Sequence, residues 1–350
     1  MDITFMTPIN SMGYGVTGIN ILRSLVRAKH DVTLIPIGKM ILEPEWGELV
    51  GSRTMMAGRD YYNPDAPMVR NFHEWRMEFP PGKGKKISWP FFEVDGLSNI
   101  ATQQLNNVDA VAAGSVWIEQ VLRENGVEVP IFRAPQGVDT LLFRPMPANR
   151  MDDHYRFFTI GKYELRKGHP EVISAFKMAF PDDRNVRLYM MCDNPFMSPG
   201  SVDSEIEHLA KRDPRITVIK REATHSGVAA FINRCDCGVF PSRGEGWGLP
   251  MLECLSCSKP LIATFVTSQK DYLNKQIATE VQTKGLTTAT DGVFFNGIGR
   301  WYQPDIRSLA EAMRDAYDSD WRSNPEGRLK ALEFTWDIAA DKLVKGIEGL

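Results

Sequence analysis

Apolar positions along this chain recur with two alternating periods. Near the N-terminus, ITFMTPI has the length and apolar density of a buried strand, and MGYGVTG follows as a Gly-rich turn. INILRSLVRAKH then repeats its apolar residues at helical spacing, and DVTLIPI is strand-like again. This predicts a parallel βαβ opening of Rossmann type. From Met40 to Trp89 the pattern is irregular and rich in Pro, Gly and aromatic residues, which predicts long functional loops. Regularity returns with VDAVAAG, the amphipathic SVWIEQVLRENG and the strand-like VPIFRAP.

From near Tyr155 the alternation restarts. Strand-like FFTIGKY, VRLYMMC, ITVIKR, CGVFPS and PLIATF are separated by helix-like HPEVISAFKMAF, DSEIEHLAKR, SGVAAFINRC and GLPMLECLSC. Such alternation predicts a second doubly wound parallel sheet. PDIRSLAEAMRDAYDS and EGRLKALEFTWDIAADKLVKGI add two helices, and the proline- and charge-rich stretch from Gly137 to Asp153 reads as the linker between halves. A length of 350 residues also exceeds the roughly 250–300 at which a single core stops growing. The expected fold is α/β, with two Rossmann-like doubly wound domains, residues 1–145 and 146–320, facing a central cleft where strand C-termini bind ligands.

Composition narrows the function classes. At 43% hydrophobic and 24% charged residues, with no biased tract, the chain is neither a disordered adaptor nor a fibrous protein. A formal charge of -3 gives no global positive field for nucleic acid or an anionic membrane. The N-terminus lacks a basic and apolar leader, and no run approaches the ~20 apolar residues that span a bilayer, so a soluble cytoplasmic protein is expected. The cysteines, Cys192, Cys235, Cys237, Cys254 and Cys257, lie in apolar segments and read as reduced, buried thiols, with strand and helix contexts unlike loop-borne zinc ligands. Asp318-Ser-Asp320 follows an amphipathic helix and reads as a solvated cap. No metal or cofactor is expected.

Phosphate chemistry is written most clearly in Phe240-Pro-Ser-Arg-Gly-Glu-Gly-Trp-Gly-Leu-Pro-Met-Leu-Glu253, which leaves a strand and enters a helix through a Gly-rich loop. Gly246, Gly248 and Gly244 permit close backbone approach, and the first-turn amides with the helix dipole favour a diphosphate. Glu253 stands roughly 7–8 Å along the helix from its start, about the distance to a ribose whose diphosphate sits at the N-terminus. Gly13-Tyr-Gly-Val-Thr-Gly18 is a literal G-x-G-x-x-G, but the acidic residue expected about 20 positions on is replaced by Pro36-Ile-Gly-Lys39. A dinucleotide oxidoreductase is therefore the weaker alternative.

The string from Glu245 to Glu253 resembles the E-x7-E region of retaining GT-B glycosyltransferases, the broad group 1 family that includes bacterial mannosyl-, glucosyl- and N-acetylglucosaminyl-transferases. Gly161-Lys-Tyr-Glu-Leu-Arg-Lys-Gly168 is similar to the family's basic segment after the first strand of its C-domain, although Lys162 stands where many members have Arg. Pro135 to Pro145 resembles its Gly-Val-Asp segment, and Phe334-Thr-Trp336 its Phe-Ser-Trp ending. The resemblance implies an acceptor domain over 1–145, a nucleotide-sugar donor domain over 146–320, and a final segment, 321–350, that crosses back. It implies that Lys162 and Lys167 hold the diphosphate, that Glu245 contacts the donor sugar and Glu253 its ribose, and that Gly246, Trp247, Gly248 and Leu249 line the donor. Gly15 and Val16 would face that donor across the cleft.

Glu93, after the aromatic Trp89-Pro-Phe-Phe, resembles the Glu of subgroups with an aromatic-rich segment and is the candidate for contacting transferred sugar or acceptor hydroxyl. His73, Trp75 and Trp89 are acceptor candidates. The implied reaction moves a sugar from a nucleoside diphosphate to an acceptor hydroxyl with retention of configuration. The acceptor is a glycan, a lipid-linked sugar, a small molecule or a modified nucleic acid. A nucleotide-sugar epimerase on the same fold is the nearer alternative.

Overall fold

A computed structural model describes residues 1–54, 63–147 and 152–350; part of the irregular stretch and part of the linker reading lie outside the described residues. The chain forms two compact units, Met1–Asp139 with Phe334–Leu350, and Thr140–Glu333. The changeovers therefore fall at 139 and 333 rather than at 145 and 320. Backbone pairing accounts for both: Val138 N donates to Phe334 O at 2.8 Å and bridges to Thr335. The residues just before 334 are held within the second unit, where Arg328 Nη1 donates to Ser256 O at 2.5 Å.

Unit 1 contains β1 (Asp2–Thr7), α1 (Gly13–Arg27), β2 (Asp31–Pro36), α2 (Gly47–Arg53), β3 (Met68–Arg70), β4 (Lys86–Ser88), α3 (Asn99–Asn106), β5 (Ala110–Ala113), α4 (Val116–Glu124) and β6 (Ile131–Arg133). Its six strands are all parallel in the order β2-β1-β3-β4-β5-β6. Ile3, Phe5, Val69 and Ile87 are buried on one face and Met6, Met68 and Val111 on the other, as a helix-covered parallel sheet requires.

Unit 2 contains β7 (Tyr155–Ile160), α5 (His169–Ala179), β8 (Val186–Met191), α6 (Ser201–Ala210), β9 (Ile216–Val218), α7 (His225–Arg234), β10 (Cys237–Phe240), α8 (Leu249–Ser256), β11 (Leu261–Thr264) and β12 (Thr279–Val281). After these come a hairpin of β13 (Thr283–Thr290) and β14 (Asn296–Pro304), then α9 (Ile306–Asp318) and α10 (Pro325–Leu332). The terminal α11 (Trp336–Glu348) returns to unit 1 and packs on α1. The second sheet is also parallel, in the order β12-β11-β10-β7-β8-β9. A core of Tyr155, Phe157, Phe176, Phe180 and Met313 fills one of its faces. All five cysteines are buried and free of disulfides. No helix among the described residues is long and apolar enough to cross a membrane.

Two local expectations are corrected. The Gly-rich stretch is not the turn itself, because α1 already begins at Gly13. Pro8 to Met12 make the turn, and a Cβ on Gly15 would stand 2.3 Å from Asn10 O, so glycine there lets the turn fold against the first helical residues. Trp89 does not face an acceptor. It is fully buried, and its Nε1 donates to Ala134 O at 2.9 Å.

Trp89→Ala should accordingly act as a core deletion, lowering the unfolding free energy by roughly 3–5 kcal/mol. Chemical denaturation checks this; a loss under 1 kcal/mol would place Trp89 outside the core.

Candidate functional site

In the second sheet the chain runs outward through β7, β8 and β9, then returns to the other side of β7 to place β10, β11 and β12. The topological switch lies between β7 and β10, the crevice where open α/β sheets bind ligands. Both segments singled out in the sequence leave this point: Gly161–Gly168 after β7 and Pro241–Gly248 after β10. Each ends on a left-handed glycine, Gly168 at φ 73° and Gly248 at φ 93°, which caps a helix with no side-chain cap bond. At Gly248 a Cβ would also stand 2.7 Å from the Tyr272 hydroxyl, which donates to Trp247 O at 2.9 Å and Gly248 O at 3.1 Å. Glycine is needed there twice over, for its φ and for its lack of a side chain.

The two loops are clasped together by charge. Lys167 Nζ donates to both carboxylate oxygens of Glu245, at 2.7 and 2.8 Å. Arg166 Nη1 donates to Glu245 Oε2 at 3.0 Å and to Gly244 O at 2.9 Å, while Nη2 reaches Glu164 Oε2 at 3.0 Å. The Ser242 hydroxyl donates to Glu245 as well. Glu245 is only 5% exposed. Burial alone would raise its pKa, yet the Lys167 and Arg166 cations and the hydrogen bonds hold it at about 2. Burial pulls Lys167 down, against the Glu245 carboxylate.

Thr267 completes the clasp from beyond β11. Its Oγ1 accepts the Glu245 N–H at 2.8 Å and donates to Glu245 O at 3.1 Å. It does so at φ 44°, a strained conformation for a β-branched residue and one that concentrates at functional sites.

Lys162 sits at the rim of the same crevice, 2.5 Å from Glu164 Oε1 and over the rings of Phe294 (4.5 Å) and Phe196 (5.1 Å). Glu253 lies in the second turn of α8 and is 8% exposed. Burial raises its pKa to about 7, with Arg221 opposing. Two carboxyl groups eight residues apart thus have opposite characters. Gly246, Trp247, Gly248 and Leu249 are all buried along the same loop and helix start, Trp247 against the Tyr272 ring at 5.3 Å. Lys167, Glu245 and Lys162 are brought together around the switch point, with Glu253 on the helix that follows it. Arg166, Glu164 and Thr267 join them and were not singled out from sequence. Arg166 was legible only as an unremarked neighbour of Lys167, and nothing in the local sequence signals Thr267.

The remaining candidates belong to unit 1. Gly15 and Val16 are buried in the first turn of α1. His73 stacks on the half-exposed Trp75 at 4.4 Å and meets Tyr14 edge-on at 5.0 Å. The Tyr14 hydroxyl donates to Phe91 O at 2.7 Å and accepts from Phe91 N at 3.0 Å. Glu93 is partly buried nearby; its charge helps raise Tyr14, after burial and Glu74. Glu74, absent from the sequence candidates, is 8% exposed, and burial first, then Glu93, lifts its pKa to about 8. Trp89 stands apart in the core.

Comparison with known proteins places this geometry. Residues 154–318 match the family described as Glycosyl transferases group 1. The capsular polysaccharide biosynthesis glycosyltransferase CapM of Staphylococcus aureus is 25% identical over 43% of this chain and 40% of its own length. The serotype-specific mannosyltransferase WbdA of Escherichia coli is 24% identical over 30% of this chain and 13% of its own. The chain therefore spans well under half the length of these curated relatives. Among solved structures, sucrose-phosphate synthase from Thermosynechococcus elongatus superposes with a TM-score of 0.72 at 18% identity, covering 99% of this chain and 98% of that one. HepE from Anabaena, solved with UDP and glucose, gives 0.70 at 14% identity over the whole of both chains. The fold is that of GT-B glycosyltransferases, two Rossmann-like parallel-sheet units, and the relatives' names support an enzyme of the glycosyltransferase class.

Glu245→Gln should cost about 3–5 kcal/mol at neutral pH, because it breaks a buried pair and leaves Arg166 and Lys167 facing a neutral amide. The native carboxyl titrates at about 2 against an ordinary 4.5, so its contribution is complete above 4.5 and is lost as pH falls through about 2. Unfolding free energies of wild type and variant should differ by a constant amount from pH 7 to about 5 and converge below that. A difference that persists at pH 2 would contradict the assignment.

Proposed function

We propose that this protein transfers a sugar from a nucleoside diphosphate sugar to an acceptor hydroxyl, with unit 2 holding the donor and the anomeric configuration retained. The observation that carries this reading is the Arg166–Lys167–Glu245 clasp at the β7/β10 switch point, with two uncapped helix starts beside it. Lys162, Arg166 and Lys167 face the carboxylates of Glu164 and Glu245, so one positive charge is left over. That excess and the first-turn amides suit a departing diphosphate, whose charge grows in the transition state. Glu245, held ionised and rigid, is suited to accept hydrogen bonds from donor-sugar hydroxyls. It is already engaged by three side-chain donors, which favours front-face displacement over covalent attack by this carboxylate. The diphosphate then helps remove the acceptor proton. Tyr14, His73, Trp75 and Glu93 are assigned to acceptor recognition. HepE, crystallised with UDP and glucose, makes uridine nucleotides the first donors to try. Incubation with UDP-, GDP- and ADP-sugars, following release of the free nucleoside diphosphate, tests the proposal; no release from any of them, with or without a panel of glycan and small-molecule acceptors, would sink it.

Two further outcomes follow. Because the diphosphate is neutralised by side chains and helix amides, EDTA should leave more than half of the turnover intact. Complete loss, restored by magnesium or manganese, would overturn the metal-independent reading. Glu253, at about 7, is half protonated near neutrality, and only its carboxylate form accepts hydrogen bonds from both ribose hydroxyls. Affinity for an intact nucleotide sugar should therefore rise with pH, by up to tenfold per unit below pH 7, and level off above 8. Glu253→Gln should weaken binding roughly 10- to 100-fold and abolish that slope. Calorimetric titration at pH 6, 7 and 8 measures both, and affinity that falls as pH rises would remove the carboxylate from the site.

A further inference from the structure

The β13–β14 hairpin has no part in the chemistry above, yet its tip reaches the candidate site. Phe294 at that tip lies 4.5 Å over the Lys162 ammonium, and Phe196, in the loop after β8, lies 5.1 Å from the same group. The two rings meet edge-to-face with centroids 5.7 Å apart. Both are exposed, Phe196 by 60% and Phe294 by 42%.

Their positions are built by polar contacts. At the hairpin tip the Asp291 carboxylate accepts the N–H groups of Val293, Phe294 and Phe295 at 2.8–2.9 Å, while Asp291 N donates to Phe295 O at 3.1 Å. Along β14 Trp301 is buried against Phe295, and Tyr302 N donates to Arg243 O at 2.9 Å, rooting the hairpin on the β10 loop. Asn194 fixes the other ring, accepting from Phe196 N at 3.0 Å and donating to Tyr163 O at 2.9 Å. Ordering two large apolar side chains in solvent gains little burial to offset the lost entropy. A ligand that covers them would supply it.

We propose that Phe196 and Phe294 form an aromatic bracket for the nucleobase of the donor. This rests on the donor reading above. The bracket adjoins Lys162, a cation that follows the switch-point strand directly and pairs with Glu164, so a ligand with an anionic group beside a flat apolar one matches both features. A nucleoside diphosphate has that shape: the diphosphate reaches toward Lys162 and the helix starts, and the base stacks on Phe196 while Phe294 closes on its edge. Stacking of this kind tolerates any base, so base selectivity is left to other groups.

Binding of UDP, GDP and ADP to the full chain is measured by calorimetry, together with inorganic pyrophosphate as the comparator without a base. Phe294→Ala and Phe196→Ala should each weaken the tightest nucleoside diphosphate roughly 5- to 100-fold, the usual range for loss of one base–aromatic stack. Pyrophosphate binding and the melting curve should stay unchanged, within twofold and 2 °C, because both rings are exposed. Unchanged nucleotide affinity in both variants overturns the bracket and leaves the donor reading standing. Loss of affinity for UDP-glucose with unchanged affinity for UDP also overturns it, since the rings would then serve the sugar. Absence of binding by all three nucleotides overturns the donor reading itself.

Discussion

The structure of unit 2 turns on one buried carboxylate. Glu245 sits where two loops leave adjacent parallel strands at a reversal of strand order, and beyond the sheet's ladder one backbone bond, Arg243 N to Arg166 O at 2.7 Å, and a set of side chains tie those loops together. Lys167 and Arg166 do so from the β7 side, Ser242 from its own loop and Thr267 from beyond β11. A carboxylate placed there without cations would be expelled or protonated; cations without it would repel one another. Loop geometry, helix starts and local charge are therefore set by the same contacts. Thr267, in its left-handed conformation, brings its hydroxyl onto the Glu245 backbone.

The same stretch of chain carries a second carboxyl with the opposite fate. Glu253 is as buried as Glu245 but has only the charge of Arg221 to oppose desolvation, and its pKa rises to about 7 where that of Glu245 falls to about 2. An identical residue type becomes a permanent anion in one case and a titrating group in the other, through neighbours supplied by distant segments. A repeated Glu in a motif thus does not imply a repeated role.

Sequence patterning revealed the architecture because its signals are local. Alternating strand and helix periods and the Gly-rich exit from β10 into a helix follow from neighbouring residues and survive in three dimensions. Residues whose meaning depends on a partner far along the chain were less legible. Lys167 is legible as a cation beside a glycine, but its pairing with Glu245, 78 positions on, is set by the strand order. Arginine is usually exposed, and nothing local marks Arg166 as an exception; two carboxylates, one of them 79 positions on, draw it inside. An aromatic in a Pro-rich stretch looks like a binding surface, yet the Trp89 indole N–H finds a backbone partner deep in unit 1. The hairpin escaped notice because TKGLTTAT lacks an apolar face: most of β13 is exposed, with Ala289 buried.

The clasp also bears on how a diphosphate would enter. Lys167 is not an empty-handed cation waiting in solvent, since it already donates to both oxygens of Glu245. An ammonium has three donors, so the third can serve an anion without breaking the pair. Its side chain is 16% exposed. Holding the lysine in place beforehand lowers the entropy lost when a ligand orders it, and the neighbouring carboxylate limits the attraction to a resting diphosphate. In the proposed reaction, charge building on the leaving group would meet donors that are already fixed, an arrangement that would favour the transition state over the ground state.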